Sequence, residues 1–162
     1  CSSCHGTYGT EETYPNKVVA VDVIGTDPLY ATYATDSKIV DWYNKSWFAT
    51  STPKSWYEPE YGYIAPPLDG IWATAPYLHN GSVPDLYSVL KSEARPAFWQ
   101  RSKNSKDFNW SKIGWMYEEK NNGTGRLTYD TSLPGYSNSG HYFGDKLTEE
   151  ERWAVVEYLK GL

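Results

Sequence analysis

Sulfur and imidazole are scarce in this chain. Its 162 residues include two cysteines, one methionine and three histidines. Two cysteines cannot by themselves supply a four-thiolate zinc site. Both lie in the first four positions, so a disulfide between them would close a very small ring. One methionine leaves a single candidate for a thioether ligand. No stretch reaches the ~18 consecutive apolar residues of a membrane helix, which argues against a membrane span. There is no basic excess: the formal net charge is −5. That balance speaks against a nucleic-acid partner; it aids solubility or steers a basic redox partner. No repeat, low-complexity tract or signal peptide is seen. The missing signal peptide carries no information, because the numbering opens inside a motif. Aromatics are plentiful, with 15 Tyr, 8 Trp and 4 Phe, and most are expected to pack the core or line a wet surface.

What is present begins at the first residue. Cys1-Ser2-Ser3-Cys4-His5 reads C-x-x-C-H, the attachment signature of a c-type haem. Two thiols on one helical turn reach the two vinyl groups of one porphyrin, and the next histidine lies under the ring and offers nitrogen to the iron. Two other readings compete. A redox dithiol expects a βαβ setting, which is not visible here. A zinc site from Cys1, Cys4, His79 and His141 has a spacing that matches no familiar finger. The expectation is therefore one covalent haem c held by Cys1, Cys4 and His5.

Length suggests one domain over residues 1–162 with room for insertions. Residues 17–24 form a β-branched run with strand propensity, closed by a Gly25-Thr26-Asp27-Pro28 turn. Asp36 or Ser37 caps a helix expected to reach about Trp47, with Ile39, Val40, Tyr43 and Trp47 as a buried stripe. Pro66 to Leu86 is an apolar, proline-punctuated loop that needs a surface to pack against; a haem face would serve. Pro84 suits the first turn of a short helix to Leu90 or Lys91. Residues 92–128 read as an insertion, with a hairpin near Asn122-Gly123. Thr148 and Glu151 form a capping box on a helix to about Lys160, with Val155, Val156, Leu159 and Leu162 on one side. Packing of that helix on the C-x-x-C-H helix would complete a class-I haem c arrangement. The fold class expected is mainly α: a class-I-like cytochrome c domain with long irregular loop insertions.

Three groups compete for the sixth iron position: His79, Met116 and His141. Met is common there in small cytochromes c, but a lone Met is more often a core or loop side chain. His141 lies between Gly140 and Gly144, which permit close backbone approach. His79 would hydrogen-bond a propionate, carry electrons at the haem edge, or tie its own loop to backbone carbonyls. Trp72 and Tyr77 are expected beside the porphyrin, although ordinary packing explains them equally well.

The block Gly70-Ile71-Trp72-Ala73-Thr74-Ala75-Pro76-Tyr77-Leu78-His79-Asn80-Gly81-Ser82 resembles the C-terminal haem domain of the dihaem cytochrome c peroxidase superfamily. With the Gly25–Pro28 turn, the Arg95–Phe98 segment and the Asn138–Gly144 segment, the resemblance is closest to the rubber oxygenase branch. It implies a haem that passes electrons, with substrate chemistry at a second haem in an N-terminal domain absent from this chain. It also implies His141 as the sixth ligand, giving a His5/His141 pair. The methionine that the peroxidases carry after this block has no counterpart between Val89 and Arg101.

Two functions follow. One is an electron-transfer cytochrome domain. The other is part of a dihaem peroxidase or haem oxygenase whose active haem lies elsewhere, and the chain reads as the back part of a longer polypeptide. Catalytic residues are not expected in this domain itself. Expected partners are another haem domain or a redox protein, with multi-subunit assembly compatible. The expected compartment is periplasmic or extracellular, because haem c is attached after export.

Overall fold

Cys1 stands at the start of helix α1 (Ser2–His5), and its carbonyl accepts the amides of Cys4 and His5 at 3.0 and 2.9 Å. One turn closes around the motif in this way. The coordinates are a computed structural model that describes residues 1–104 and 106–162. The β-branched run divides. Val18–Ala20 forms strand β1, and Val21–Ile24 winds into helix α2, stopped by Gly25 in the left-handed region. Three helices follow: α3 (Leu29–Ala34), α4 (Ser37–Lys45) and α5 (Trp47–Thr50). The Asp36 carboxylate accepts the Lys38 amide and caps α4 as expected. Strand β2 (Gly62–Ile64) returns antiparallel to β1, pairing Val19 with Tyr63.

The expected stripe on α4 is not buried. Ile39 is 45 % exposed and Trp47, beyond the break at Ser46, is 77 % exposed, while Val40 and Tyr43 are only half-buried, Tyr43 against Phe48 and Tyr57. Periodicity marks which residues share a face, not whether anything covers it.

The core sits further on. Asp85 caps the short helix α6 (Leu86–Val89) by accepting the Ser88 amide at 2.8 Å. Helix α7 (Glu149–Leu159) begins with the expected capping box, Thr148 and Glu151 each accepting the other's backbone amide. Tyr77, Val83, Leu86, Tyr87, Leu90, Ile113, Val156 and Leu159 pack together between them. Complete burial of side chains such as Val83, Ile113 and Val156 stabilises by about 1.5–3 kcal/mol each.

Residues 92–128 are built of short strands. β3 (Phe98–Arg101) is followed by β4 (Phe108–Asn109), β5 (Gly114–Trp115), β6 (Tyr117–Glu119) and β7 (Tyr129–Asp130). β3 is the middle of the three-stranded sheet β6-β3-β7, and β4 pairs with β5. The expected hairpin near Asn122-Gly123 is therefore not one: β6 and β7 flank β3 on opposite sides. Trp99 pins that sheet to the core, 2 % exposed, with its indole donating to the Ser82 carbonyl at 3.1 Å.

Fold class is corrected accordingly. Among the described residues the chain is mixed, 32 % helical and 15 % strand, with seven mostly short helices. The class-I packing is corrected with it. α7 packs on α6, with Tyr87 and Trp153 rings 4.7 Å apart. α1 buries none of its residues. Its four residues, Ser-Ser-Cys-His, offer no aliphatic face for another helix.

Candidate haem site

His5 ends α1 with its ring aimed back at a loop sixty residues on. Its Nδ1 lies 2.7 Å from the Pro66 carbonyl oxygen. A carbonyl can only accept, so Nδ1 carries the proton and Nε2 keeps its lone pair free, the arrangement of a metal-binding histidine. Two tyrosines hold that carbonyl in place. Tyr8 donates its hydroxyl to the His5 carbonyl at 3.3 Å and accepts the Leu68 amide. Tyr14 donates to the Ala65 carbonyl at 3.1 Å. The Pro66 carbonyl is thus fixed from both sides of its own segment.

His141 arrives from the other end of the chain. Its backbone is left-handed, with φ 51°, and its amide donates to the Ile24 carbonyl at 2.7 Å. A non-glycine residue held at positive φ is uncommon and marks a site worth explaining. Gly140 makes the approach possible. A Cβ there would stand 2.3 Å from Gly25 C and Thr26 N. The closeness granted by glycine at 140 is thus to the turn after α2. Gly144 similarly faces the Leu90 backbone.

The two imidazoles meet in an edge-to-face relation. Their centroids are 6.3 Å apart with an interplanar angle of 66°. Two metal–imidazole bonds of about 2.0 Å, with about 1.1 Å from nitrogen to ring centre on each side, require about 6.2 Å. The spacing leaves room for one metal ion between the rings and is too wide for a direct hydrogen bond between them. His141 Nδ1 is buried with no well-formed hydrogen bond. Burial foremost, then the nearby His5 and Arg95, pushes the His141 imidazole down to about 4, so it is neutral and able to donate a lone pair at neutral pH. Both thiols are free, Cys1 exposed and Cys4 half-buried. The edge of Phe143 lies against His141, centroids 5.1 Å apart, and a cleft of about 400 Å³ is lined there by Val23, Ile24, Tyr142 and Phe143. Val23 and Phe143 are 64 % and 57 % exposed, apolar surface available to a flat macrocycle. The residues present fit a haem c.

The structure brings His5 and His141 together, with Cys1 and Cys4 on the same turn as His5, and leaves the other candidates apart. His79 stacks on Tyr63, centroids 3.9 Å apart and 17° from parallel, in a half-buried niche that lowers its proton affinity through burial, opposed by Asp27. Its neighbour Asn80 ties the loop down, donating to the Gly135 and Ser137 carbonyls. Tyr77 is a core residue whose hydroxyl donates to the Ile71 carbonyl, and burial raises it well above its ordinary value. Trp72 lies in a 3-10 turn, partly exposed, 6.4 Å from Trp110. Met116 is 44 % exposed between β5 and β6. Among the described residues, no three or more His, Cys, Asp or Glu converge as a metal cluster, so Cys1, Cys4, His79 and His141 do not assemble a zinc site. Pro66, Tyr8, Tyr14 and Arg95 hold the two histidine segments by hydrogen bonds that sequence reading did not assign to them. Only Arg95 carried a signal, as part of the Arg95–Phe98 segment.

Comparison with known proteins supports haem binding and electron transport as the reading of this site. Residues 62–100 match the family model described as RoxA-like, cytochrome c-like. That segment includes Pro66, the apolar loop and Arg95, and it supports the resemblance to the rubber oxygenase branch. The chain is also 39 % identical over 111 residues to the uncharacterized protein y4iJ of Sinorhizobium fredii, covering 62 % of this chain and 18 % of that protein. It is 38 % identical over 86 residues to the uncharacterized protein y4iM of the same organism, covering 49 % of this chain and 19 % of that protein. The chain thus spans less than a fifth of the curated relatives it matches. No helix among the described residues is long and apolar enough to cross a membrane.

Proposed function

We propose that this domain is an electron-transfer module with a single haem, attached by Cys1 and Cys4 and ligated by His5 and His141. The supporting observation is the imidazole pair at 6.3 Å. The haem would supply an iron that alternates between two oxidation states. The protein's part is to keep the iron's surroundings alike in both. Pro66 holds the His5 tautomer and direction, and burial keeps His141 unprotonated. With both axial positions filled by protein, no site is left for an exogenous substrate. The compartment is periplasmic or extracellular. The partner is another haem domain or a redox protein, and assembly of several copies belongs to the same reading.

In a second reading the domain feeds a reacting haem elsewhere in a dihaem peroxidase or haem oxygenase. The RoxA-like match and the greater length of the relatives favour it. Turnover of peroxide or polyisoprene by the whole polypeptide is its test. For the domain itself, the test is intact mass with a pyridine haemochrome spectrum, and then His141→Ala. The ferric variant is expected to become high-spin and to bind cyanide readily; an unchanged spectrum removes His141 from the ligand set.

A further inference from the structure

Arg95 sits where the short helix α6 and the His141 loop meet. All three of its side-chain nitrogens donate to backbone carbonyls. Nε reaches Ser88 O at 3.0 Å, and Nη2 reaches Val89 O at 3.0 Å and His141 O at 3.4 Å. Nη1 reaches Asn138 O at 2.6 Å and Gly140 O at 2.7 Å. On one side it grips the end of α6; on the other, three carbonyls of the loop that delivers His141. The turn before it is latched to the same region, with Ser92 donating its amide and hydroxyl to the Asp145 carboxylate at 2.8 and 2.7 Å. The guanidinium also stands 5.8 Å from the Tyr142 ring. A planar fork can satisfy several fixed carbonyls at once, and an ammonium cannot. The left-handed backbone of His141 needs such over-determination to persist.

We propose that Arg95 is the positioning residue of the sixth ligand: by clamping the 138–141 carbonyls to the end of α6, it holds the His141 imidazole at its distance from His5. The proposal rests on the bis-histidine reading. Its action is geometric, so charge alone does not replace it. α6 is anchored in the core through Leu86 and Val89, and the clamp transmits that rigidity to a loop without regular structure of its own.

The test uses the haem-loaded protein and the rate at which cyanide binds the ferric form, since cyanide enters when His141 leaves. Arg95→Lys and Arg95→Gln are both expected to bind cyanide about tenfold faster than the parent or more, the scale on which outer-shell partners of metal ligands act. Their haemochrome spectra should be unchanged. His141→Ala serves as the reference. If it binds cyanide faster and both Arg95 variants bind at the parent rate, the clamp is refuted and the ligand pair stands. If His141→Ala binds no faster than the parent, the ligand pair itself falls and the clamp with it. An Arg95→Lys variant at the parent rate beside a fast Arg95→Gln shows a charge effect and refutes the clamp. Should neither variant retain haem, hydrogen exchange of the Arg95 guanidinium in the parent decides. Protection well above that of the exposed Arg126 supports the clamp; equal exchange overturns it.

Discussion

Acid is the perturbation to which the histidine pair should respond most directly. Burial, with His5 and Arg95 nearby, lowers His141 from its ordinary value of 6.5 to about 4. The unfolded chain therefore binds a proton at this position more readily than the folded one, and stability at this site rises with pH. The contribution is unchanged above about pH 7. It is lost progressively as pH falls from 6.5 toward 4, and the loss levels off below 4. At 1.36 kcal/mol per pH unit, the two-state binding expression gives a loss of about 2 kcal/mol at pH 5 and about 3 kcal/mol at pH 4. An iron bound to His141 acts in the same direction, since a ligating imidazole must be deprotonated. Denaturant unfolding of the parent and of His141→Gln at pH 7, 6, 5 and 4 isolates the effect, because the other titrating groups are common to both. The two stability curves should converge on acidification by about the stated amounts. Curves that run parallel down to pH 4 would refute the burial argument for His141.

Two further outcomes follow from the geometry. Tyr8→Phe leaves the Leu68 amide without its acceptor and the His5 carbonyl without its donor. It is expected to cost about 1–3 kcal/mol in denaturant unfolding and to shift the reduction potential through the loosened Pro66–His5 bond, while Tyr14→Phe does less. Gly140→Ala places a methyl 2.3 Å from the Gly25–Thr26 backbone at positive φ. Its ferric spectrum should show a high-spin fraction as His141 withdraws, and a fully low-spin spectrum would count against the packing of the two loops.

Local signals were readable and distant ones were not. Cys1 to His5 form their turn through bonds within five residues, and the Thr148 capping box spans four; both are legible because cause and effect are neighbours in sequence. The start of α6 is misplaced in the sequence reading, which puts Pro84 in its first turn, whereas Asp85 is the cap and Pro84 lies one residue before it. The Pro66 carbonyl, by contrast, meets His5 across 61 residues, and nothing in either side chain announces the other. The strands of residues 92–128 are two to four residues long, too short for an alternating pattern to show. Arg152 stands in an acidic first turn that reads as surface, yet it is 4 % exposed and donates to the Leu90 and Leu147 carbonyls. The α4 stripe erred in the opposite way, having a face but only partial cover. The residues alone left His141 as one of three candidates and the resemblance singled it out, while the Gly25–Gly140 contact that seats its loop lies beyond any local pattern.

The two imidazoles lie 136 positions apart in sequence. A metal held between them would act as a covalent staple does, closing a loop longer than a hundred residues. In the chain-entropy model, a loop of that order restricts the unfolded ensemble by roughly 4.7 kcal/mol. Cofactor attachment would then be a folding event as much as a redox one, and loss of the iron would loosen the chain ends before it disturbed the packed centre between α6 and α7.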